Sequence, residues 1–391
     1  MLNKTEEELI ALGANITANE IKQQPLLWQE AFVNYQKNEQ RIKEFFAKIQ
    51  TKTNQKIRVI FTGAGTSQYV GDTVTPYLMK KADTQRFEFV SVGTTDIVAA
   101  PTEYLLPKEV TILVSFARSG NSPESVATVK LANQLIKTIY HITITCAPDG
   151  QLAQAAQGDA DNLLLLMPPL SNDKGFAMTS SFTCMALTSL LVFDQTSTAE
   201  KAEYVQSICA LGEEVVQREA EFLALLPNNY TRIVYLGSGS LSGLTREAQL
   251  KVLELTAGKV ATVFDSSLGF RHGPKSFVND ETIVLVFVNN DTYTRNYDND
   301  ILAEVAQDGI AAAVIGIGQN HAAQQTIFGT PFIFSEKELL LPDGYLALPD
   351  IMVAQTIALN SSIMVGNTPD TPSPTGTVNR VVQGVTIHEY H

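Results

Sequence analysis

Cysteine is scarce in this sequence: three in 391 residues, at positions 146, 184 and 209. They are scattered through apolar or helical context, which excludes a disulfide framework and a zinc-type spacing and fits buried thiols of a reduced compartment. Histidine is nearly as rare, five in all, and no metal-ligand spacing is found among the cysteines and histidines. No apolar run approaches the ~20 residues needed to span a bilayer. The acidic N-terminus carries neither a basic n-region nor an apolar h-region, so a cytoplasmic location is expected. Positive charge is also short, with 28 Lys and Arg against 41 Asp and Glu and a net charge of −13. Without a basic patch there is no counterion release to gain from nucleic acid or anionic lipid, and neither is expected as a partner. A phosphorylated ligand would have to be caught by a local site.

What is present is a large potential core. Hydrophobic residues make up 45% and charged residues only 18%, enough for two or three domains. Residues 1–50 place apolar side chains at helical spacing (Leu9, Ile10, Leu12; Trp28, Ala31, Phe32, Tyr35; Ile42, Phe45, Phe46), which predicts two or three helices before any strand. From about residue 57, short β-rich runs alternate with helical stretches: 58–63, 86–92, 111–116, 140–146 and 162–167. This alternation predicts a parallel sheet with helices on both faces. The cycle then restarts, as 58–65 (RVIFTGAG) is echoed by 232–239 (RIVYLGSG), with 260–264, 282–288 and 311–318 following in the same order. The expected fold is therefore α/β, with two tandem doubly wound, flavodoxin-like parallel-sheet domains after an N-terminal helical segment. The boundaries read as helices over 1–50, a first sheet domain over 51–200, a connecting helix over 201–228, a second sheet domain over 229–365 and a Pro/Gly/Thr-rich tail over 366–391.

Four segments carry chemistry. Gly63-Ala64-Gly65-Thr66-Ser67-Gln68 ends the first strand and opens a helix, where backbone N–H groups and the helix dipole favour an anion. A dinucleotide fingerprint would need glycine at the sixth position, which Gln68 occupies. Arg118-Ser119-Gly120-Asn121-Ser122-Pro123, after the third strand, offers two hydroxyls around a glycine, a cation and a Pro suited to the first helical turn. Such a loop can wrap a phosphate, though taken alone it also reads as a Ser/Gly-rich helix cap. The corresponding stretch of the second domain, Asn290-Asp291-Thr292-Tyr293, has a carboxylate and no glycine, so only the first domain is expected to hold phosphate. On a second-domain helix, Glu247, Lys251 and Glu254 are spaced four and three apart and share one face, either as a solvated salt-bridged stripe or as a catalytic one. Phe270-Arg271-His272-Gly273-Pro274 follows it, and His272 is the candidate for proton transfer near neutral pH. His388 is the other candidate histidine, whereas His141 and His321 look structural.

Taken together these four motifs resemble the SIS (sugar isomerase) family from about residue 50 onward. The similarity is strongest to its galactosamine-6-phosphate deaminase/isomerase and tagatose-6-phosphate ketose/aldose isomerase branch, which 176–182 (FAMTSSF) and the tail 375–391 also resemble. The resemblance implies that Gly65, Thr66, Ser67, Ser119 and Ser122 meet the sugar phosphate with Arg118 beside them, and it adds Thr179, Ser180 and His388 as possible substrate contacts. It further implies that Glu254 shuttles a proton between C2 and C1 with Glu247 and Lys251 in support, and that His272 opens the sugar ring. In related synthases this histidine comes from a neighbouring subunit, so a homodimer or higher homo-oligomer is expected. Ala117 departs from the pattern, which usually has a hydroxyl at that position.

The implied chemistry needs no cofactor. An amino-sugar 6-phosphate would give a ketose 6-phosphate and ammonia, and a plain hexose 6-phosphate would be isomerised between aldose and ketose. A phosphosugar sensor without turnover is the alternative from another class.

Overall fold

The structure is a computed structural model that describes residues 1–320, 326–380, 382 and 384–391; His321 lies outside the described residues. It resolves into two compact units, neither contiguous in sequence: one comprises residues 27–173, 180–198 and 378–391, the other residues 1–26, 174–179 and 199–377.

The first unit is built on β1 (Ile57–Thr62), β2 (Phe87–Ser91), β3 (Thr111–Ala117), β4 (Ile139–Thr145) and β5 (Asn162–Leu166). All pair in parallel, in the order β2-β1-β3-β4-β5. Every residue of β3 is buried, as a strand covered on both faces requires, and this is why its sequence is mostly apolar, broken only by Thr111 and Ser115. Alternate side chains feed two cores. Ile60 and Leu113 meet Ile97 and Leu131, from the helices Thr94–Ala99 and Pro123–Leu135, and Ile136, the C-cap of the second, on one face. On the other, Phe61 and Phe89 pack against Phe193 of the helix Ser180–Phe193, with ring centroids 5.4–5.5 Å apart at steep angles. Phe46, from the long helix Gln24–Lys52, joins the same cluster.

The second unit holds β6 (Arg232–Gly237), β7 (Ala261–Ser266), β8 (Thr282–Phe287), β9 (Ala313–Gln319) and β10 (Phe332–Phe334). These too are all parallel, in the order β10-β9-β8-β6-β7. Counted from its own first strand, each sheet reads 2-1-3-4-5, the flavodoxin-like order, and both place a strand-order reversal beside the first strand. β10 has no counterpart among the apolar runs singled out in the sequence; a three-residue edge strand is too short to show a period. The helix Asp343–Met364 is long and apolar enough to cross a membrane, but 89% of its most apolar window is buried, so it is a core helix of this unit. It packs against the helix Ser240–Leu255.

Three helices precede β1: Glu6–Ala11, Asn15–Lys22 and Gln24–Lys52. The first opens on a capping box, in which the Thr5 hydroxyl accepts from Glu8 N and the Glu8 carboxylate accepts from Thr5 N.

Candidate active site

At the end of β1 the chain turns through Gly63 and Gly65. Gly65, the N-cap of the helix Thr66–Lys81, has φ 55° and ψ −125°, a conformation essentially reserved for glycine. A Cβ on Gly63 would lie 2.5 Å from the Ser67 backbone. Thr66 and Ser67 follow directly and are buried in the first helical turn. The second unit repeats this turn nearly degree for degree: Gly239 has φ 57° and ψ −128°, and Gly237 closes on Leu241.

The second loop starts where β3 ends. Gly120 has φ 68°, and Gly150 allows a close approach, since a Cβ there would sit 2.3 Å from Ser119 O. Asn121 ties the loop to the neighbouring turn by accepting from Gln151 N at 3.0 Å. Ser119 and Ser122 are both half-buried. Ser122 is the N-cap of the helix Pro123–Leu135, yet its hydroxyl makes no capping hydrogen bond. The loop therefore supplies a glycine-opened backbone, two hydroxyls and a helix N-terminus, a combination suited to an anion.

Arg118 is buried, and its Nη2 donates to the main-chain carbonyl of Arg380 at 2.6 Å. Arg380 in turn donates through Nε (3.1 Å) and Nη2 to the Asp173 carbonyl. The Asp173 carboxylate is fully buried and caps the helix Ser180–Phe193, accepting from Ser180 N at 3.0 Å and Ser181 N at 2.9 Å. Thr179 and Ser180 are buried at this cap. His388 is exposed, two residues before Tyr390, whose carbonyl accepts from Gln134 Nε2 at 3.2 Å. Cys146 lies close by, buried, with the Ser171 hydroxyl donating to its Sγ; burial pushes the thiol pKa up to about 12. It is inert at neutral pH.

In the second unit the loop after β8 is already furnished with its own anion. Asp291 is the N-cap of the helix Thr292–Asp308 and accepts from Thr294 N. Asp298 receives hydrogen bonds from Ser238 Oγ, Ser267 Oγ and Asn289 N. Burial raises the Asp298 pKa, while the Asp291 carboxylate already occupies the helix N-terminus that an incoming phosphate would need.

The helix Ser240–Leu255 carries the two glutamates and the lysine singled out in the sequence. Glu247 and Lys251 are fully buried, whereas the Glu254 side chain retains 22% exposure. Lys251 Nζ lies 3.2 Å from Glu247 Oε1 and 2.7 Å from Glu254 Oε2. Burial alone would lower the ammonium pKa, but the two carboxylates outweigh it and the net shift is upward, so Lys251 stays charged. The arrangement is not a solvated surface stripe. It is a buried cation held by one enclosed carboxylate, with a second carboxylate turned partly toward water.

His272 is exposed, on a turn between two short 3-10 segments, Gly269–Arg271 and Pro274–Phe277. Phe270 roots this turn in the core, and Gly273 at φ 122° lets it reverse. His272 and Glu254 share no hydrogen bond. His141 is a buried structural histidine: its Nε2 pairs with Asn133 Oδ1 at 2.8 Å, and burial lowers its pKa. The sequence reading missed Asp173, Arg380 and Glu304, described below, because each acts across a long sequence separation with no local motif.

A D-galactosamine-6-phosphate deaminase, AgaS, from Escherichia coli is 44% identical over 379 residues, covering 96% of this chain and 96% of that protein. The chain belongs to the SIS domain family. The SIS domain model matches residues 53–193, which contain both the Gly63–Gln68 turn and the Arg118–Pro123 loop. Two solved SIS structures cover nearly the whole chain. A tagatose-6-phosphate ketose/aldose isomerase from Escherichia coli has a TM-score of 0.84 at 41% identity, covering 96% of this chain and 97% of that one. A chain from Clostridium novyi NT has a TM-score of 0.93 at 41% identity, covering 100% and 99%.

Proposed function

We propose that this SIS protein is a phosphosugar deaminase/isomerase that converts galactosamine 6-phosphate and water to tagatose 6-phosphate and ammonia. The observation that carries the reading is the Glu247–Lys251–Glu254 arrangement, a charged lysine that fixes one partly open carboxylate beside a fully enclosed one. The AgaS relative, at 44% identity over almost its whole length, supports the choice of an amino sugar.

Ser67, Ser119 and Ser122 bind the phosphate through their hydroxyls, with Gly65 and Thr66 supplying the turn and Arg118 the neighbouring cation. Ala117 offers no hydroxyl, which shifts that share of the binding onto Arg118. His272 passes a proton in ring opening. Glu254 then takes the proton from C2 of the open-chain aldosamine, giving an enolamine, and returns it at C1. The resulting ketimine is hydrolysed at C2, the C–N bond breaks, and nitrogen leaves as ammonia. Lys251 holds the Glu254 carboxylate in one orientation for both transfers, and fixed orientation of this kind contributes several kcal/mol to a barrier. Enolisation uses only these side chains and water, so no cofactor is invoked. Thr179, Ser180 and His388 are assigned to the substrate's surroundings, and the working form is taken as a cytoplasmic homodimer or higher homo-oligomer.

A second reading, plain aldose/ketose isomerisation, is favoured by the 41% identity to the tagatose-6-phosphate ketose/aldose isomerase. The deciding experiment measures ammonia and ketose 6-phosphate from galactosamine 6-phosphate, beside glucosamine 6-phosphate, galactose 6-phosphate and tagatose 6-phosphate, for the wild type and Glu254→Gln. Ammonia that vanishes in the variant is the expected result. Interconversion without ammonia would establish the isomerase, and binding without turnover of any of the four would mark a sensor.

A further inference from the structure

The turn that carries His272 has little to hold it. Its main chain is closed by isolated hydrogen bonds, His272 N to Gly269 O at 2.8 Å and Ser276 N to Gly273 O at 3.0 Å. Gly273, next to the histidine, is the most freely rotating residue type and stands at φ 122°. Phe270 anchors one side in the core. The other side is gripped from the helix Thr292–Asp308, by the Glu304 carboxylate at two points and by Asp308 at one. Glu304 Oε2 accepts from Arg271 Nε at 2.6 Å, and Glu304 Oε1 accepts from Lys275 Nζ at 2.5 Å. These two cations flank His272 on either side in the chain. Asp308, one helical turn on, holds Lys275 a second time at 2.6 Å.

We propose that Glu304 is a positioning residue for His272, fixing where the imidazole stands by clamping Arg271, just before it, and Lys275, three residues after it. The clamp is partly exposed, at 36% for the Glu304 side chain, so by itself it adds little to stability. Its consequence is geometric: both oxygens are committed to the same turn, and losing the carboxylate leaves Arg271 only its 3.4 Å bond to Ser267 O and Lys275 only Asp308, so both ends loosen together. Hydrogen bonds from Lys275 and then Arg271 hold the Glu304 pKa below the usual carboxylate value, so the clamp stays ionised through the neutral range. The inference rests on the reading above in which His272 takes part in ring opening.

A double-mutant cycle tests it. Ammonia release from galactosamine 6-phosphate is measured for the wild type, Glu304→Ala, Glu304→Gln, His272→Gln and the Glu304→Ala/His272→Gln double variant, with thermal unfolding of each. Glu304→Ala is expected to lower kcat by about tenfold while KM stays within about twofold, since a displaced catalytic group loses rate rather than binding. Glu304→Gln, isosteric but uncharged, should fall in the same direction and serves if the alanine variant folds poorly. In the His272→Gln background, Glu304→Ala should cost nothing further. Losses that multiply in the double variant, or a Glu304→Ala enzyme with wild-type kcat, would overturn the positioning role. A His272→Gln enzyme with wild-type kcat would instead remove the ring-opening role itself, leaving Glu304 nothing to position.

Discussion

Arg118, at the foot of the hydroxyl-rich loop, spends one guanidinium nitrogen on the main-chain carbonyl of Arg380, 2.6 Å away and near the end of the chain. The side chain of Arg380 reaches back to the Asp173 carbonyl, and Asp173 caps the helix that begins at Ser180. Three segments far apart in sequence thus meet at one cation, and the tail after residue 377 belongs to the same compact unit as the loop.

This linkage makes the tail part of phosphate binding in the proposed mechanism. Arg380→Ala removes the tether to Asp173 and lets the acceptor of Arg118 drift, while leaving every hydroxyl of the loop in place. The expected outcome is a KM for phosphosugar raised by about fivefold to tenfold with kcat nearly kept, the size of one ordinary hydrogen bond's net contribution, about 1 kcal/mol. Steady-state kinetics at fixed ionic strength would check it, and an unchanged KM would detach the tail from binding.

Asp343 gives a pH prediction. Burial pushes its carboxyl pKa up to about 6 from an ordinary value near 3.8, despite hydrogen bonds from the backbone of Asn290 and Asp291. An acid whose folded pKa is raised binds its proton more tightly in the folded than in the unfolded state, so its contribution disfavours folding above about pH 6 and is relieved as pH falls toward 4. Asp350, seven residues on in the same helix, is fully buried, its pKa is likewise driven well upward by burial, and neither of its carboxylate oxygens has a hydrogen-bond partner among the described residues. Asp343→Asn keeps the acceptor oxygen and removes the titration. It should raise stability at pH 7.5 by roughly 1–3 kcal/mol and flatten the dependence between pH 4 and 6. Chemical denaturation at several pH values measures this, and a variant less stable than wild type at pH 7.5 would contradict it.

The parts of the molecule written in local pattern were legible in the sequence. The strands β1, β3 and β8 appear as apolar runs because both faces of each are covered, and the two Gly-x-Gly turns announce the strand-to-helix corners. The Glu247, Lys251 and Glu254 spacing put three charges on one helix face, but spacing cannot say whether that face meets water. Packing decides it, and packing buries two of the three. Arg380 and Glu304 left no trace, because each acts on a partner brought close only by the fold: Arg380 on Asp173 and Arg118, and Glu304 on a turn some thirty residues earlier. The three-residue β10 was invisible for a simpler reason, since a period cannot be read from three positions.

Gly65 and Gly239 offer the sharpest separation of structure from function. They occupy equivalent turns, with φ 55° and 57°, and no neighbouring atom closer than 4.0 Å would obstruct a Cβ on either. Alanine at either position is therefore penalised by backbone strain and not by a clash, at a cost of about 1–3 kcal/mol. The stability losses of Gly65→Ala and Gly239→Ala should match to within about 0.5 kcal/mol, since surroundings this alike leave only the shared strain. Their functional effects should differ. Gly65 leads into Thr66 and Ser67, the proposed phosphate turn, whereas the turn at Gly239 is tied through Ser238 to Asp298 of the helix that Asp291 caps. Gly65→Ala should raise KM for phosphosugar by about tenfold, and Gly239→Ala should leave it within about twofold, because only the first turn is asked to meet the anion. Kinetics and thermal unfolding of the two variants in parallel decide the matter. Equal rises in KM would mean that the second unit also binds phosphate, and that the two carboxylates do not exclude it.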